Sequence, residues 1–376
     1  MLVDYFSPLP TDGAERQAER LSTYLVSKNV SSSVLTRRVG SLARFELRDG
    51  FTVHRIMQFG PGKIKSLSFT IFAIISLLRL RNSYDILHAH LAFSPAIAAA
   101  IVGKLLHKVT IVKFGNSDSF GDIQRSQKTL RGRFRLAVLR RWVNVCIALD
   151  SEMEKEMLVA GFSRDRVVRM NNGIDTSRFK PCSDKLSAKK VLGLGEKTFV
   201  LYVGRLTPQK ALHLLLKALQ DATASCKDLH LLLIGIGEER EALISLTKDY
   251  GIQHCVTFID YVSDVQPYLD AGDIFVLPSL AEGISNSLLE AMSSGLACIS
   301  TSVGGSSEVL GDGQFGMLVS PRNVEELTKA LVYFGQSAGE RIRFGVLARQ
   351  RVLEKYDFQV VGQQYFDLYT SLLETK

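Results

Sequence analysis

The 376 residues include only five cysteines, one tryptophan and nine prolines. Cys146, Cys182, Cys226, Cys255 and Cys298 lie far apart with no Cys-x-x-Cys pair. That excludes a disulfide framework and a zinc ribbon, and suits a reducing compartment. The N-terminus lacks the charged-then-apolar pattern of a secretory leader. Long hydrophobic runs are missing as well. The longest charge-free apolar run of the N-terminal third, Ser66–Leu78, has 13 residues, whereas a membrane span needs about 20. No low-complexity tract or short repeat is present. A soluble, cytoplasmic protein is expected.

What is present is an ordinary globular composition, 46% hydrophobic and 22% charged. The chain is too long for one core, so two domains are expected. Its net charge of +8 is uneven: residues 1–180 hold 28 Lys and Arg against 15 Asp and Glu, the remainder 18 against 23. A basic half implies an anionic partner, either nucleic acid, a membrane surface or a phosphorylated substrate. The steepest stretch, Arg125–Arg141, includes Arg131, Arg133, Arg135 and Arg140. Leu130, Phe134, Ala137 and Val138 in it follow helical spacing and predict an amphipathic helix. This reads as a solvated basic face over a packed apolar stripe, or as membrane-surface contact. No aromatic stacking platform accompanies it, so nucleic acid is not an expected partner.

Short apolar runs alternate with helical patterns along nearly the whole chain. Phe51–Ile56, Ile86–Ala89, Thr110–Lys113, Val145–Ala148 and Val167–Met170 read as strands in the first half. Phe199–Val203, Leu229–Ile234, Val256–Ile259, Ile274–Leu277 and Ala297–Thr301 match them in the second. Such alternation is the pattern of α/β proteins with doubly wound parallel sheets. The pattern breaks around Phe179–Glu196, where polar residues replace sheet-like runs. Two Rossmann-like domains facing a central cleft are expected, over residues 1–178 and 179–356, with a helix at about 357–376 packing back on the first. Ligands of such sheets bind beyond the carboxyl ends of strands, at helix N-termini.

Four strand-leaving loops stand out. In Val203-Gly204-Arg205-Leu206-Thr207-Pro208-Gln209-Lys210, two cations five apart across a Gly/Pro loop can converge on a diphosphate. In Glu282-Gly283-Ile284-Ser285-Asn286-Ser287-Leu288-Leu289-Glu290, Ser285 or Asn286 is the expected N-cap, with Glu282 before the helix and Glu290 in its early turns. Two carboxylates beside a helix N-terminus suit sugar hydroxyls on either side of a diphosphate. The bland alternative is a pair of ordinary helix charges. Gly304-Gly305-Ser306-Ser307-Glu308 permits close backbone approach to a ligand, or merely serves a tight turn. Gly235-Ile236-Gly237 begins like a dinucleotide fingerprint, but Glu238, Glu239 and Arg240 follow where a pyrophosphate and a third glycine belong, which argues against NAD. In the first half, His88-Ala89-His90 ends a strand with both histidines on one side. No third ligand lies nearby, so contact of His90 with substrate is favoured over a structural histidine, and both over a metal site.

Taken together, Val203–Lys210, Glu282–Leu296 and Val303–Glu308 resemble the retaining glycosyltransferases of family 4, which have the GT-B fold. Asn171-Asn172-Gly173-Ile174-Asp175 with Phe179 resembles the interdomain segment of that family. The resemblance implies that Arg205 and Lys210 hold the donor diphosphate and Glu290 accepts from ribose hydroxyls. It places Gly283, Ile284, Ser285 and Asn286 along the donor, with Glu282 and His90 against the transferred sugar as catalytic residues. Gly13 would lie on the loop approaching the donor phosphates. Asp12 and Ala211 stand where that family usually has glycine, and Lys113–Asp118 lacks a histidine common there.

The expected reaction is hexosyl transfer from a UDP- or GDP-sugar to a glycan or lipid-linked acceptor, in polysaccharide or glycolipid assembly. The only partners expected beyond these are an anionic membrane surface on the cytoplasmic side, and no cofactor or metal is called for. Arg205, Lys210 and the helix N-terminus near Asn286 would meet the charge growing on the leaving phosphate. A sugar-nucleotide epimerase of the same fold, or a non-catalytic nucleotide-sugar-binding protein, are the rival readings.

Overall fold

The computed structural model describes residues 1–8, 13–115 and 121–374. These form two compact units, Met1–Gly173 with Phe358–Lys376, and Ile174–Asp357.

The first unit contains α1 (Gly13–Ser27), β1 (Ser33–Arg37), β2 (Phe45–Arg48), β3 (Phe51–Ile56), α2 (Gly62–Arg79), β4 (Ile86–His90) and α3 (Ser94–Leu106). It continues through β5 (Val109–Lys113), α4 (Asp122–Gln127), α5 (Leu130–Trp142), β6 (Val145–Ala148), α6 (Ser151–Val159) and β7 (Val167–Arg169). Strands β4, β5, β6 and β7 pair in parallel in that order. Leu2 bridges Ala89 of β4 and Leu35 of β1, which links them to the β1-β3-β2 group. One pairing departs from the all-parallel expectation: β2 runs antiparallel to β3. Asp49 and Gly50 between them have φ of 44° and 82°, the left-handed pair that a two-residue hairpin needs.

The second unit opens with α7 (Lys185–Val191), β8 (Thr198–Val203), α8 (Leu212–Thr223), β9 (Leu229–Ile234), α9 (Arg240–Asp249), β10 (Val256–Ile259) and α10 (Gln266–Ala271). It ends with β11 (Ile274–Leu277), α11 (Asn286–Ser293), β12 (Ala297–Thr301), α12 (Ser306–Val309), β13 (Met317–Val319), α13 (Val324–Gln336) and α14 (Ala338–Lys355). Its six strands are all parallel, in the order β10-β9-β8-β11-β12-β13. Every residue of β11 and β12 is buried, as expected of strands covered on both faces, which read as unbroken apolar runs. The order reverses beside β8 and β11, so the loops leaving those strands sit at the switch point where such sheets bind ligands.

The units divide at Gly173/Ile174, five residues before the 178/179 boundary expected. Ile174 N donates to Tyr356 O at 2.8 Å, and Arg349 donates to Thr176 O and Phe179 O at 3.0 and 2.6 Å. Those bonds bind residues 174–179 to the second unit. The last helix, α15 (Phe358–Glu374), belongs to the first unit. Its Phe358, Val361, Tyr365 and Tyr369 share a core with Leu21, Tyr24 and Leu25 of α1 and with Ile111 and Ile147 of the sheet.

Candidate active site

In the second unit, the loop leaving β8 is held by neighbouring backbone. Gly204 N donates to Ile234 O and Leu206 N to Ile236 O, at 3.0 and 2.9 Å. A Cβ on Gly235 would stand 1.9 Å from Gly204 O, and one on Gly237 2.1 Å from Leu206 O. The glycines of the aborted dinucleotide motif therefore let the β9 loop lie against the β8 loop. The Tyr202 hydroxyl donates to Arg205 O at 2.8 Å. Burial and the nearby Glu282 carboxylate push its pKa well up, so it stays protonated.

The two principal motifs meet directly. Lys210 Nζ forms an ion pair with Glu282 Oε1, 72 positions away in sequence. Ser279 Oγ donates to the same oxygen at 2.6 Å. Leu280 N donates to Gln209 O at 2.8 Å, and Gln209 Nε2 to Ala281 O at 2.7 Å. The β8 and β11 loops thus form one hydrogen-bonded platform, with the Arg205 side chain exposed at its edge. Ala211, directly after Lys210, takes a left-handed φ of 49° while fully buried.

Ser285 is the N-cap of α11, its hydroxyl accepting from Leu288 N at 3.4 Å. Asn286 opens the helix and Glu290 is its fifth residue, buried like Glu282. Gly283 and Ile284 are buried just before the cap. A Cβ on Gly305 would lie 2.8 Å from Ile284 Cγ1 and 3.1 Å from Gly283 O. The paired glycines 304–305 therefore bring the β12 loop against the start of the α11 motif, and Glu308 lies within the single turn of α12.

His90 and Gly13 belong to the first unit. His90 is 1% exposed, and neither ring nitrogen has a hydrogen-bond partner among the described residues. Its ring stacks on His88 with centroids 4.4 Å apart. His88 Nδ1 meets the Tyr369 hydroxyl at 2.5 Å. Opposite His90 in the β4–β5 register stands Lys113, whose ammonium donates to Asn172 Oδ1 at 2.8 Å and lies 5.4 Å from the Tyr365 ring centroid. Burial pulls Lys113 down to about 7. Burial, with Lys113 adding to it, holds both histidines well below their usual range, so they are neutral at pH 7. Sequence reasoning missed Lys113, Tyr365 and Tyr369. The only signal was a lysine closing the otherwise uncharged strand Val109–Lys113.

Gly13 is the exposed first residue of α1, while Asp12 and residues 116–118 lie outside the described residues. The apolar stripe expected within Arg125–Arg141 is overturned: Leu130 and Phe134 are 83% and 70% exposed, and Ala137 is exposed too. Gly132, Leu136 and Leu139 face inward instead, with Val138 also buried. The reason is Gly132, where a Cβ would stand 2.1 Å from Ser126 O, so α5 closes on α4 through that side. Arg135 is not on a solvated face either, since its guanidinium lies 4.8 Å from the Phe93 ring centroid. Among the described residues, no three His, Cys, Asp or Glu side chains gather as a metal site.

Comparison with known proteins gives two family matches. Residues 11–178 match Glycosyltransferase Family 4, and residues 197–336 match Glycosyl transferases group 1. A UDP-Gal:alpha-D-GlcNAc-diphosphoundecaprenol alpha-1,3-galactosyltransferase of Escherichia coli is 28% identical over 69% of this chain and 69% of its own. A 2-deoxystreptamine N-acetyl-D-glucosaminyltransferase of Niallia circulans is 25% identical over 96% and 97%. Among solved structures, HepE of Anabaena in complex with UDP-glucose is similar with a TM-score of 0.83, at 18% identity over 98% of both chains.

Proposed function

Because this chain belongs to the family 4, group 1 glycosyltransferases and shares their GT-B fold, we propose that it transfers a hexose, with retention, from a UDP- or GDP-sugar to a glycan or lipid-linked acceptor. The observation that carries this reading is the Lys210–Glu282 pair, which joins the cationic loop to the loop feeding α11. A lysine already fixed by a carboxylate is preorganised, so little reorganisation is needed when charge develops beside it. In our reading Lys210 and Arg205 grip the diphosphate, with the N-terminus of α11 facing the same anion. Gly283, Ile284, Ser285 and Asn286 shape that mouth. Glu290 accepts from the ribose, and Glu282 orients the transferred hexose. His90, held neutral, offers a ring nitrogen to a sugar hydroxyl, and Gly13 lets the start of α1 approach the phosphates.

Negative charge on the leaving diphosphate is balanced by Arg205 and Lys210, and this assignment calls for no metal or cofactor. The UDP and UDP-glucose in HepE complexes and the UDP-Gal in the name of the galactosyltransferase support a nucleotide-sugar donor. The diphosphoundecaprenol in that same name supports a lipid-linked acceptor in cell-surface glycan assembly, which would bring the protein peripherally to an anionic membrane. Among the described residues, no helix is long and apolar enough to cross a membrane.

Isothermal titration with UDP- and GDP-sugars and with the free diphosphates tests the assignment. Arg205→Ala and Lys210→Ala should each weaken every diphosphate ligand. Glu290→Ala should weaken the free nucleotide as well, while Glu282→Ala should lose only the sugar-dependent part. Unchanged donor affinity in both cation variants refutes the assignment. Product analysis by NMR, showing the anomeric configuration kept or inverted, decides retention.

A further inference from the structure

Helix α2 is apolar on two opposite faces, and the described residues cover only one of them. Phe69, Ala73 and Leu77 are buried. Ile71 lies two residues from both Phe69 and Ala73, about 200° around the helix. With Ile64, Leu67 and Ile75 it forms an outer stripe at i, i+3, i+7 and i+11, with exposures of 61%, 54%, 47% and 37% for Ile64, Leu67, Ile71 and Ile75. Phe59, just before the helix, is also exposed and packs edge-on against Phe72 at 5.6 Å. An exposed apolar stripe of this kind marks an interaction surface.

The charge around the stripe says what it fits. Helices α2 and α5 both pack on α3, and the three together carry nine Lys and Arg and no Asp or Glu. Lys63 and Lys65 flank the start of the stripe and Arg79 its end. On α5, the exposed Leu130 and Phe134 stand among Arg131 and Arg133. Apolar side chains set among cations with no carboxylate match the interface of an anionic bilayer, where acyl chains lie beneath negative headgroups. A second copy of this surface would bring like charge face to face.

We propose that the outer face of α2, with Leu130 and Phe134 of α5, inserts shallowly into an anionic membrane, the helix lying in the plane of the interface. The proposal rests on the reading of a lipid-linked acceptor, and adds to it the surface that docks.

Co-sedimentation of the full chain with vesicles tests it. Vesicles of phosphatidylglycerol with phosphatidylcholine are compared with phosphatidylcholine alone, at low salt and in 0.5 M salt (about a 4 Å Debye length). Wild type should pellet with the anionic vesicles and lose most binding in high salt. Leu67→Ser with Ile71→Ser, at exposed positions, should bind at least tenfold more weakly while unfolding at the same temperature. Lys63→Gln with Lys65→Gln, a second and milder pair, should weaken binding severalfold and flatten the salt dependence. If wild type pellets and the Leu67/Ile71 pair pellets equally well, α2 is not the docking face, although the membrane reading survives. If wild type stays in the supernatant at low salt, both fail. A wild-type dimer in size exclusion that the Leu67/Ile71 substitutions convert to monomer, without vesicle binding, assigns the face to self-association and overturns the proposal.

Discussion

Each unit places a lysine at the end of a strand or in the loop after one, Lys113 buried and Lys210 half-buried, and the two are treated in opposite ways. Lys210 in the second unit is paired with Glu282, and Ser279 donates to the same carboxylate oxygen. Lys113 in the first has an amide oxygen of Asn172 and the face of Tyr365 but, among the described residues, no carboxylate, and burial pulls it down to about 7. A cation without a counter-charge in a low-dielectric site approaches neutrality. The difference separates two kinds of recognition. The second unit has an ion pair at the loop proposed above for the diphosphate, and the first keeps neutral hydrogen-bonding rings and an amine near neutrality, chemistry suited to hydroxyls.

Removing one half of the second-unit pair should give the largest effect. Lys210→Ala leaves the buried Glu282 carboxylate without its lysine, and breaking a buried pair costs about 3–5 kcal/mol. Side-chain exposures of 14% and 8% place the expected loss near the lower end. Transfer should fall by about 10²–10³ or more, as expected when a preorganised group at the developing charge is lost. Lys210→Met with Glu282→Gln should recover most of the stability and none of the activity. Denaturant midpoints beside turnover decide this, and a double variant no more stable than Lys210→Ala would show that the pair does not act as a unit.

The first-unit lysine makes a pH prediction of opposite character. The folded pKa of Lys113 lies below its unfolded value of 10.5. Between about pH 7 and about pH 10 the unfolded chain therefore holds a proton the folded chain has released, and stability gains as pH rises, by up to about 1.4 kcal/mol per unit. Below the folded value both states are protonated and the penalty is constant. Lys113→Met should be more stable than wild type at pH 7, with the gap closing toward pH 10. A gap independent of pH would mean that Lys113 stays charged throughout.

A smaller effect is expected at the hydroxyl that steadies the stacked histidines. Tyr369→Phe leaves His88 Nδ1 without its partner at 2.5 Å, and a buried unsatisfied nitrogen costs about 1–3 kcal/mol. Because His90 stacks on His88, kcat should drop a fewfold while donor affinity measured by titration is unchanged. Equal losses in kcat and donor affinity would assign Tyr369 a purely structural role.

How far the sequence carried this comparison depended on which physical signal each feature leaves. Buried parallel strands leave continuous apolar runs, so β6, β9, β11 and β12 were legible to the residue, and the edge strand β10, of which only Val256 is buried, was legible from its β-branched and aromatic residues. The β11-loop motif was legible because its serine cap and glycine break the helical pattern where α11 starts. The Lys210–Glu282 contact was not, since pairing across 72 residues depends on strand order, which no local pattern encodes. The inner and outer faces of α5 were misread because helical spacing finds a stripe without saying which side is covered, and Gly132 decided that. Nor did periodicity mark α2, whose two apolar faces cancel the amphipathic signal.

The smallest expected effect concerns backbone, and it sharpens the comparison once more. In each unit a candidate site residue is followed by a non-glycine in the left-handed region: Leu91 at φ 73° after His90, and Ala211 at φ 49° after Lys210. Ala211→Gly removes a left-handed Cβ that costs about 1–2 kcal/mol. It also gives up a buried methyl worth about 0.8 kcal/mol and frees the unfolded chain by about 0.4–1 kcal/mol. The terms nearly cancel, so urea midpoints should shift by less than about 0.5 kcal/mol, and donor affinity should stay within twofold because Lys210 keeps Glu282. Leu91→Gly gains the same relief but loses a whole side chain, whose Cδ2 occupies the space 2.5 Å from where a Cβ on Gly115 would stand. It should be destabilising by more than 1 kcal/mol, on the scale of a partly buried leucine. If Ala211→Gly proved strongly destabilising, the methyl would be holding the loop beside Lys210, and the ion pair could not be credited alone with fixing that lysine.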